Sequence, residues 1–78
     1  MYIDYKNYLD FEKQVNKFKG QYLSPGGVAK KYEVSRGAVY NWVVRNVIDA
    51  HRYSGPQGSF VVISIDELGK IEEFRSKD

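Results

Sequence analysis

The chain has 78 residues, no cysteine, one histidine and a formal net charge of +2. This length predicts one domain with a modest core, and the lack of cysteine excludes disulfides and thiolate metal sites. A single histidine cannot build a metal site by itself. No apolar run approaches the roughly 20 residues that span a membrane and no signal peptide is visible, so we expect a cytoplasmic protein without a membrane partner.

The positive charge is concentrated in the middle of the chain. Residues 24–53 carry five basic and two acidic side chains, a net charge of +3, whereas residues 1–23 carry +1 and residues 54–78 carry −2. A local excess of cations is where contacts with phosphates would be made. The distribution therefore favours a nucleic-acid partner for the central segment, although a solvated surface of this charge is also common.

The first predicted element is a helix over residues 4–19, which Gly20 would end. Its apolar residues recur at spacings of three and four and define one face: Tyr5, Tyr8, Phe11, Val15 and Phe18. This aromatic stripe has two interpretations. Either it covers the small core of the two helices that follow, or it pairs with its copy in a dimer.

Ser24 and Pro25 predict the start of a second helix, with Ser24 as N-cap and Pro25 at the first helical position. Gly26 and Gly27 follow and expose backbone N–H groups to which a phosphate can come close. The Lys-Ser/Thr ending and preceding strand of a nucleotide-binding P-loop are missing. We therefore expect a phosphate of the DNA backbone, and not a nucleotide, to bind at the start of this helix.

A turn and a third helix follow. Ser35 is a natural N-cap, and Val39 and Trp42 are spaced to point back at Val28 and Ala29 of the second helix. The turn residue Glu33 is expected in a left-handed conformation, at a cost on the order of 1 kcal/mol for a residue with a Cβ. Small residues at the crossing, apolar spacing and a polar cap together predict a helix-turn-helix.

The third helix, Arg36–Arg45, is the candidate recognition helix. If Val39, Trp42, Val43 and Asn46 face inward, its outward face carries Gly37, Tyr40, Asn41 and Val44, flanked by Arg36 and Arg45. Asparagine pairs with adenine and arginine with guanine in the major groove, and tyrosine reaches phosphates or thymine methyls. The alternative is that Tyr40 and Asn41 are simply exposed polar residues that have no binding partner.

Residues 47–63 predict a β-hairpin around the turn Ser54–Ser59, with β-branched residues in the return strand. Arg52 stands at the base of this hairpin and Gln57 at its tip, positions from which a wing contacts the backbone or minor groove. His51 is expected to be structural.

Ser64 and Glu67 predict a capping box that opens a last helix, with Ile65, Leu68, Ile71 and Phe74 buried.

The pattern Val28-Ala29, four residues, Val34-Ser35, three residues, Val39, two residues, Trp42 resembles the helix-turn-helix of the excisionase and MerR-type winged-helix DNA-binding families. The final helix, with Asp66-Glu67-Leu68, resembles them as well. The resemblance covers about residues 22–74, and Glu33 departs from it because glycine is usual there. It implies a mostly α fold with a small β-hairpin, a winged helix-turn-helix with an added N-terminal helix and a C-terminal helix. The expected single domain comprises an extension (1–22), helix-turn-helix (24–46), wing (47–63) and final helix (64–76).

We therefore expect a small sequence-specific double-stranded DNA-binding protein, either excisionase-like or a compact repressor, with a homodimer or a cooperative array on DNA left open. The expected DNA contacts are Lys30, Lys31, Ser35, Arg36, Gly37, Tyr40, Asn41, Arg45, Arg52 and Gln57. The alternative is a protein–protein adaptor that uses the aromatic first helix. No catalytic or metal-ligand constellation is evident, so we expect neither an enzyme, nor a cofactor, nor a small-molecule ligand.

Overall fold

A computed structural model describes residues 1–18, 21–56 and 58–76. In chain order its elements are β1 (Tyr2–Tyr5), α1 (Tyr8–Asn16), β2 (Tyr22–Leu23), α2 (Pro25–Tyr32), α3 (Arg36–Val44), β3 (Ala50–Gly55), β4 (Gly58–Ser64), a 3-10 turn (Ile65–Glu67) and α4 (Leu68–Ser76). Helices hold 52% of the described residues and strands 26%. The predicted mostly α class with a small hairpin is therefore wrong, and the fold is α+β.

The strands form one four-stranded mixed sheet in the order β1-β3-β4-β2. The hairpin β3–β4 lies at its centre, where Tyr53 pairs with Phe60 and His51 with Val62. β2 adds antiparallel to the end of β4, and β1 adds parallel to β3 with Tyr2 opposite Ala50. The hairpin is thus the core of a larger sheet rather than a free-standing wing.

The N-terminal region differs most from the prediction. Residues 2–5 form a strand, and the helix begins only at Tyr8 because Asn7 caps it, its Oδ1 accepting from the N–H of Leu9 at 2.8 Å. The predicted helix over 4–19 is therefore wrong in its first turn and at its end, since α1 stops at Asn16. Gly20, the predicted terminator, lies outside the described residues.

The two faces of the sheet carry different layers. Side chains alternate along a strand, so Ala50 of β3 faces one side and His51 and Tyr53 face the other. Ala50 and Ile63 belong to the buried cluster with α2, α3 and α4. On the opposite face, Phe11 of α1 contacts the Tyr53 ring, with centroids 5.8 Å apart.

The helix-turn-helix forms as predicted. Ser24 and Ser35 cap α2 and α3 by accepting from the N–H groups of Gly27 (3.1 Å) and Ala38 (3.2 Å). Glu33 ends α2 in the left-handed region, with φ 55°, and the N–H of Val34 reaches back to the carbonyl of Ala29 at 2.9 Å. The two serine caps satisfy N–H groups that a helix start leaves free, and the Val34 bond satisfies a carbonyl at the end of α2.

The end of α3 corrects one expectation. Asn46, predicted to face inward from the helix, is exposed and lies in the left-handed region with φ 66°. The helix stops at Val44, and the N–H of Val47 donates to the carbonyl of Trp42 at 2.8 Å. Asparagine tolerates this conformation better than most residues, which is why the helix ends here.

The C-terminal helix also differs in detail from the prediction. Ser64 caps it through the N–H of Asp66, at 3.3 Å, but Glu67 does not close the predicted capping box. Its Oε1 instead accepts from the N–H of Asp49 at 3.1 Å, which ties the start of the last helix to the loop before β3. Leu68 and Ile71 are buried as predicted, whereas Ile65 is exposed because it lies in the 3-10 turn before α4.

Candidate nucleic-acid interface

The exposed face of α3 brings together most of the predicted contacts. Val39, Trp42 and Val43 are buried, so the opposite side of the helix faces solvent. That side carries the following exposed residues: Arg36, Gly37, Tyr40, Asn41, Val44 and Arg45. The row presents guanidinium, phenol and amide groups, the side chains that read base edges and contact phosphates.

α2 carries two further exposed cations. Lys30 and Lys31 lie in its last turn and are exposed. The Tyr32 ring fixes α2 against α3 by an edge-to-face contact with Trp42, with centroids 6.3 Å apart, and its hydroxyl donates to the carbonyl of Leu68 at 3.3 Å. The ring contact therefore packs α2 against α3, and the hydroxyl joins α2 to α4.

The cations of the helix-turn-helix stand apart from the ion pairs of the molecule. Within residues 1–18, 21–56 and 58–76, the ion pairs join the Met1 amino group to Asp49, Arg52 to Asp4, and Lys70 to Glu67. Every one of them lies outside α2 and α3. Lys30, Lys31, Arg36 and Arg45 therefore take part in no ion pair among the described residues.

Arg36 lies at a groove between three elements. The groove has a volume of about 430 Å³ and is lined by the start of α2, by Arg36 and Tyr40 of α3, and by Ser59–Val62 of β4. Gly26 leaves room for the guanidinium, since a Cβ on Gly26 would lie 3.0 Å from Arg36 Nη2. The lining residues supply one cation and several hydroxyls and include no acid.

Arg52 is held differently from the other predicted contacts. Its Nε donates to Asp4 Oδ1 at 2.6 Å, and its guanidinium lies 4.7 Å from the centroid of the Tyr2 ring. The hydrogen bond from Arg52 to Asp4 raises the pKa of the guanidinium further above its ordinary value. Arg52 is therefore engaged within the protein, and the predicted contact Gln57 lies outside the described residues.

The position of β1 beside this surface was not predicted from the sequence. The Tyr2 ring lies against Tyr40, with centroids 6.5 Å apart. Burial raises the pKa of the Tyr2 hydroxyl, with Tyr40 adding to the effect and Arg52 opposing it. The signal that reveals β1 is Asn7, because a helix cap at that position frees residues 2–5 for a strand.

The predicted aromatic stripe of α1 is used inside the molecule. Phe11 and Val15 are buried, and Phe18 contacts His51 with centroids 5.0 Å apart. His51 also meets the hydroxyl of Tyr5, with Nδ1 2.9 Å from Oη, and burial lowers its pKa despite the nearby acids Asp49 and Glu67. The stripe therefore covers the sheet, and not the core of the helix-turn-helix as one interpretation expected.

Comparisons with protein-family profiles, curated proteins and solved structures found no match to this chain. Across the described ranges, no three His, Asp or Glu side chains gather in a way that could hold a metal ion. No helix among the same residues has both the length and the apolar character needed to cross a membrane.

Proposed function

We propose that this chain binds double-stranded DNA, with α3 entering the major groove and the neighbouring α2 contacting the backbone. One observation carries the proposal: the cations of α2 and α3 are exposed and take part in none of the ion pairs among the described residues. Exposed arginine and lysine side chains without intramolecular partners are available to phosphates, and such contacts supply most of non-specific affinity.

The residue types on α3 assign separate roles within that surface. Asn41 is suited to a bidentate pair with adenine, and Arg36 and Arg45 to guanine or to phosphates. Lys30 and Lys31 act on the backbone as point charges. Gly37 and the Ser35 cap keep the start of α3 narrow, which lets this end of the helix approach base edges closely.

The resemblance to excisionase and MerR-type helix-turn-helix sequences supports the same proposal and narrows it. A chain with this function would act by occupying or bending DNA, as an excisionase-like factor or a compact repressor. We propose the cytoplasm as its location. The alternative is a protein–protein adaptor whose interface is α1. Phe11 and Val15 of that helix are buried, whereas Tyr8 and Leu9 are exposed, at 49% and 71%.

The test is fluorescence-anisotropy titration of a labelled random-sequence duplex at about 50 and about 200 mM salt. The variant Arg36→Ala/Arg45→Ala removes two cations from α3, and Lys6→Ala/Lys13→Ala is the matched control. Lys6 and Lys13 are also exposed but lie in the β1–α1 region, away from α3 in the chain. Because each variant removes two cations, both change the net charge equally.

We expect wild type to lose affinity steeply with salt. The α3 variant should bind more weakly and lower the slope of log K against log salt by roughly 1.8, at about 0.9 per phosphate contact. The control variant should keep the wild-type slope. Absence of binding at the lower salt concentration, or equal effects of the two variants, would remove the proposal.

A further inference from the structure

We propose that Tyr2 is a positioning residue for Tyr40, so that the N-terminal strand sets the DNA-reading conformation of α3; this inference rests on the proposed function. Tyr2 belongs to β1, outside the segment that resembles helix-turn-helix families. Its ring nevertheless lies against the ring of Tyr40, with centroids 6.5 Å apart and planes inclined at 36°. That separation is within the range of attractive aromatic pairs.

To contact DNA in one defined conformation, the Tyr40 side chain needs a neighbouring group such as the Tyr2 ring to hold it. It projects from the exposed side of α3 and keeps 39% of its surface accessible. In the described part of the chain its hydroxyl makes no hydrogen bond, and Tyr2 is its aromatic partner. A tyrosine held only by its own helix would sample several rotamers, and ordering it on DNA would lower the affinity.

Tyr2 is itself fixed from two directions. In the backbone, β1 is in register with β3, with Tyr2 opposite Ala50, and the N–H of Ala50 donates to the carbonyl of Met1 at 2.9 Å. At the side chain, the Arg52 guanidinium lies 4.7 Å from the ring centroid. Arg52 is in turn held by Asp4 through the 2.6 Å bond from its Nε.

These contacts form one continuous row. Asp4 holds Arg52, Arg52 covers Tyr2, and Tyr2 supports Tyr40. Tyr2 and Asp4 are two residues apart on β1 and therefore project to the same face of the sheet, the face on which α3 packs. The row gives Arg52 a structural role in addition to the DNA contact expected from sequence.

The experiment begins with a duplex selected by wild type from a random pool. Binding to this duplex and to each of its single-base variants is then measured for Tyr2→Leu, Tyr2→Phe, Tyr40→Ala and the Tyr2→Leu/Tyr40→Ala pair. Ile3→Ala is the matched control, because Ile3 is the next residue on β1 and projects to the opposite face. Circular dichroism melts verify that each variant is folded.

We expect Tyr40→Ala to reduce discrimination at particular base pairs, and Tyr2→Leu to reduce it at the same base pairs by roughly 2- to 12-fold, the loss that an unordered side chain causes. Tyr2→Leu should add nothing in the Tyr40→Ala background. Tyr2→Phe keeps the ring and should behave as wild type, as should Ile3→Ala. A merely destabilising change would not select those base pairs.

A readout without DNA separates the two claims. In proton NMR spectra, Tyr2→Leu should shift the ring signals of Tyr40, whereas Ile3→Ala should leave them in place. Unshifted Tyr40 signals, or losses of discrimination that add fully in the double variant, would overturn the positioning role while leaving DNA binding intact. Failure of wild type to bind any duplex would overturn the proposed function, and with it this inference.

Discussion

The two faces of the sheet are built from different side chains and leave different surfaces exposed. One face packs against α2, α3 and α4 through a fully buried aliphatic set that includes Val28, Val39, Ile63 and Ile71. The other is covered by α1 through rings, among them Phe11, Tyr53 and His51. Of the helices on the aliphatic face, α2 and α3 expose cations that take part in none of the ion pairs among the described residues.

Loss of a central aliphatic side chain should have the largest effect. Ile63→Ala removes a fully buried residue of β4 that packs beneath α2 and α3. We expect the free energy of unfolding to fall by about 2–5 kcal/mol, the range for such truncations. Urea denaturation measures it, and a loss below about 1 kcal/mol would contradict the placement of Ile63 in the core.

Asn41→Ala should leave the fold intact and change recognition. Asn41 is exposed on α3 and makes no side-chain hydrogen bond within the described residues. We expect discrimination at one or two base pairs to fall by roughly 1–3 kcal/mol, with little change in stability. Titration against single-base variants of the selected duplex gives the values, and equal discrimination by variant and wild type would remove Asn41 from the reading set.

Glu33→Gly should stabilise the helix-turn-helix face. Glu33 has a φ of 55°, a conformation that costs a residue with a Cβ about 1–2 kcal/mol and costs glycine far less. We expect the free energy of unfolding to rise by about 1 kcal/mol. Glu33→Gln removes the charge but keeps the strain, so it should not reproduce the gain; equal gains in both variants would assign the effect to charge.

Phe11→Leu should weaken the aromatic face alone. Phe11 contacts the rings of Tyr5, Tyr8 and Tyr53 at centroid distances of 5.8, 6.4 and 5.8 Å. Leucine keeps the apolar bulk but loses the ring geometry, which is worth about 0.5–1.5 kcal/mol for a pair. Urea denaturation should show a loss in that range, while the salt dependence of DNA binding stays at the wild-type value. A changed salt slope would mean that α1 contributes to the interface.

The pH dependence of stability should also come from the aromatic face. Burial holds the pKa of His51 below its ordinary 6.5, so the unfolded chain takes up a proton at a higher pH than the folded chain. The stabilisation is complete above about pH 6.5 and is lost as the pH falls through the lower folded pKa. Unfolding at about pH 7.5 and 5.5 should therefore show a larger acid loss for wild type than for His51→Gln. An equal loss of stability between these pH values in wild type and His51→Gln would contradict a lowered pKa of His51 in the folded chain.

The sequence predicted the elements whose signals are local. The caps Ser24 and Ser35, the left-handed turn at Glu33 and the hairpin around Pro56 depend on neighbouring residues, and the structure has all of them. The sheet depends on contacts between distant residues. β1 pairs with β3 across 48 residues, as in Tyr2 opposite Ala50, and no local pattern records that pairing.

The helical prediction for residues 4–7 failed for a specific reason. In the sequence, Tyr5 continues the three-residue spacing of Tyr8 and Phe11. In the structure, Tyr5 lies on β1, and its ring joins those of Tyr8 and Phe11 in one cluster. A strand and a helix that supply rings to the same cluster mimic a single amphipathic helix in sequence. The exposed row on α3 was predicted because its buried residues fix the opposite face, whereas the support of Tyr40 by Tyr2 required the sheet.

The most direct test of the central claim is an NMR titration of the ¹⁵N-labelled chain with the selected duplex, following each backbone amide. We expect the largest shifts on α3 and α2, at Gly37, Asn41 and Arg45 among others, with α1 nearly unchanged. Largest shifts on α1, around Leu9 and Lys13, would place the DNA on the aromatic face and contradict binding through α3.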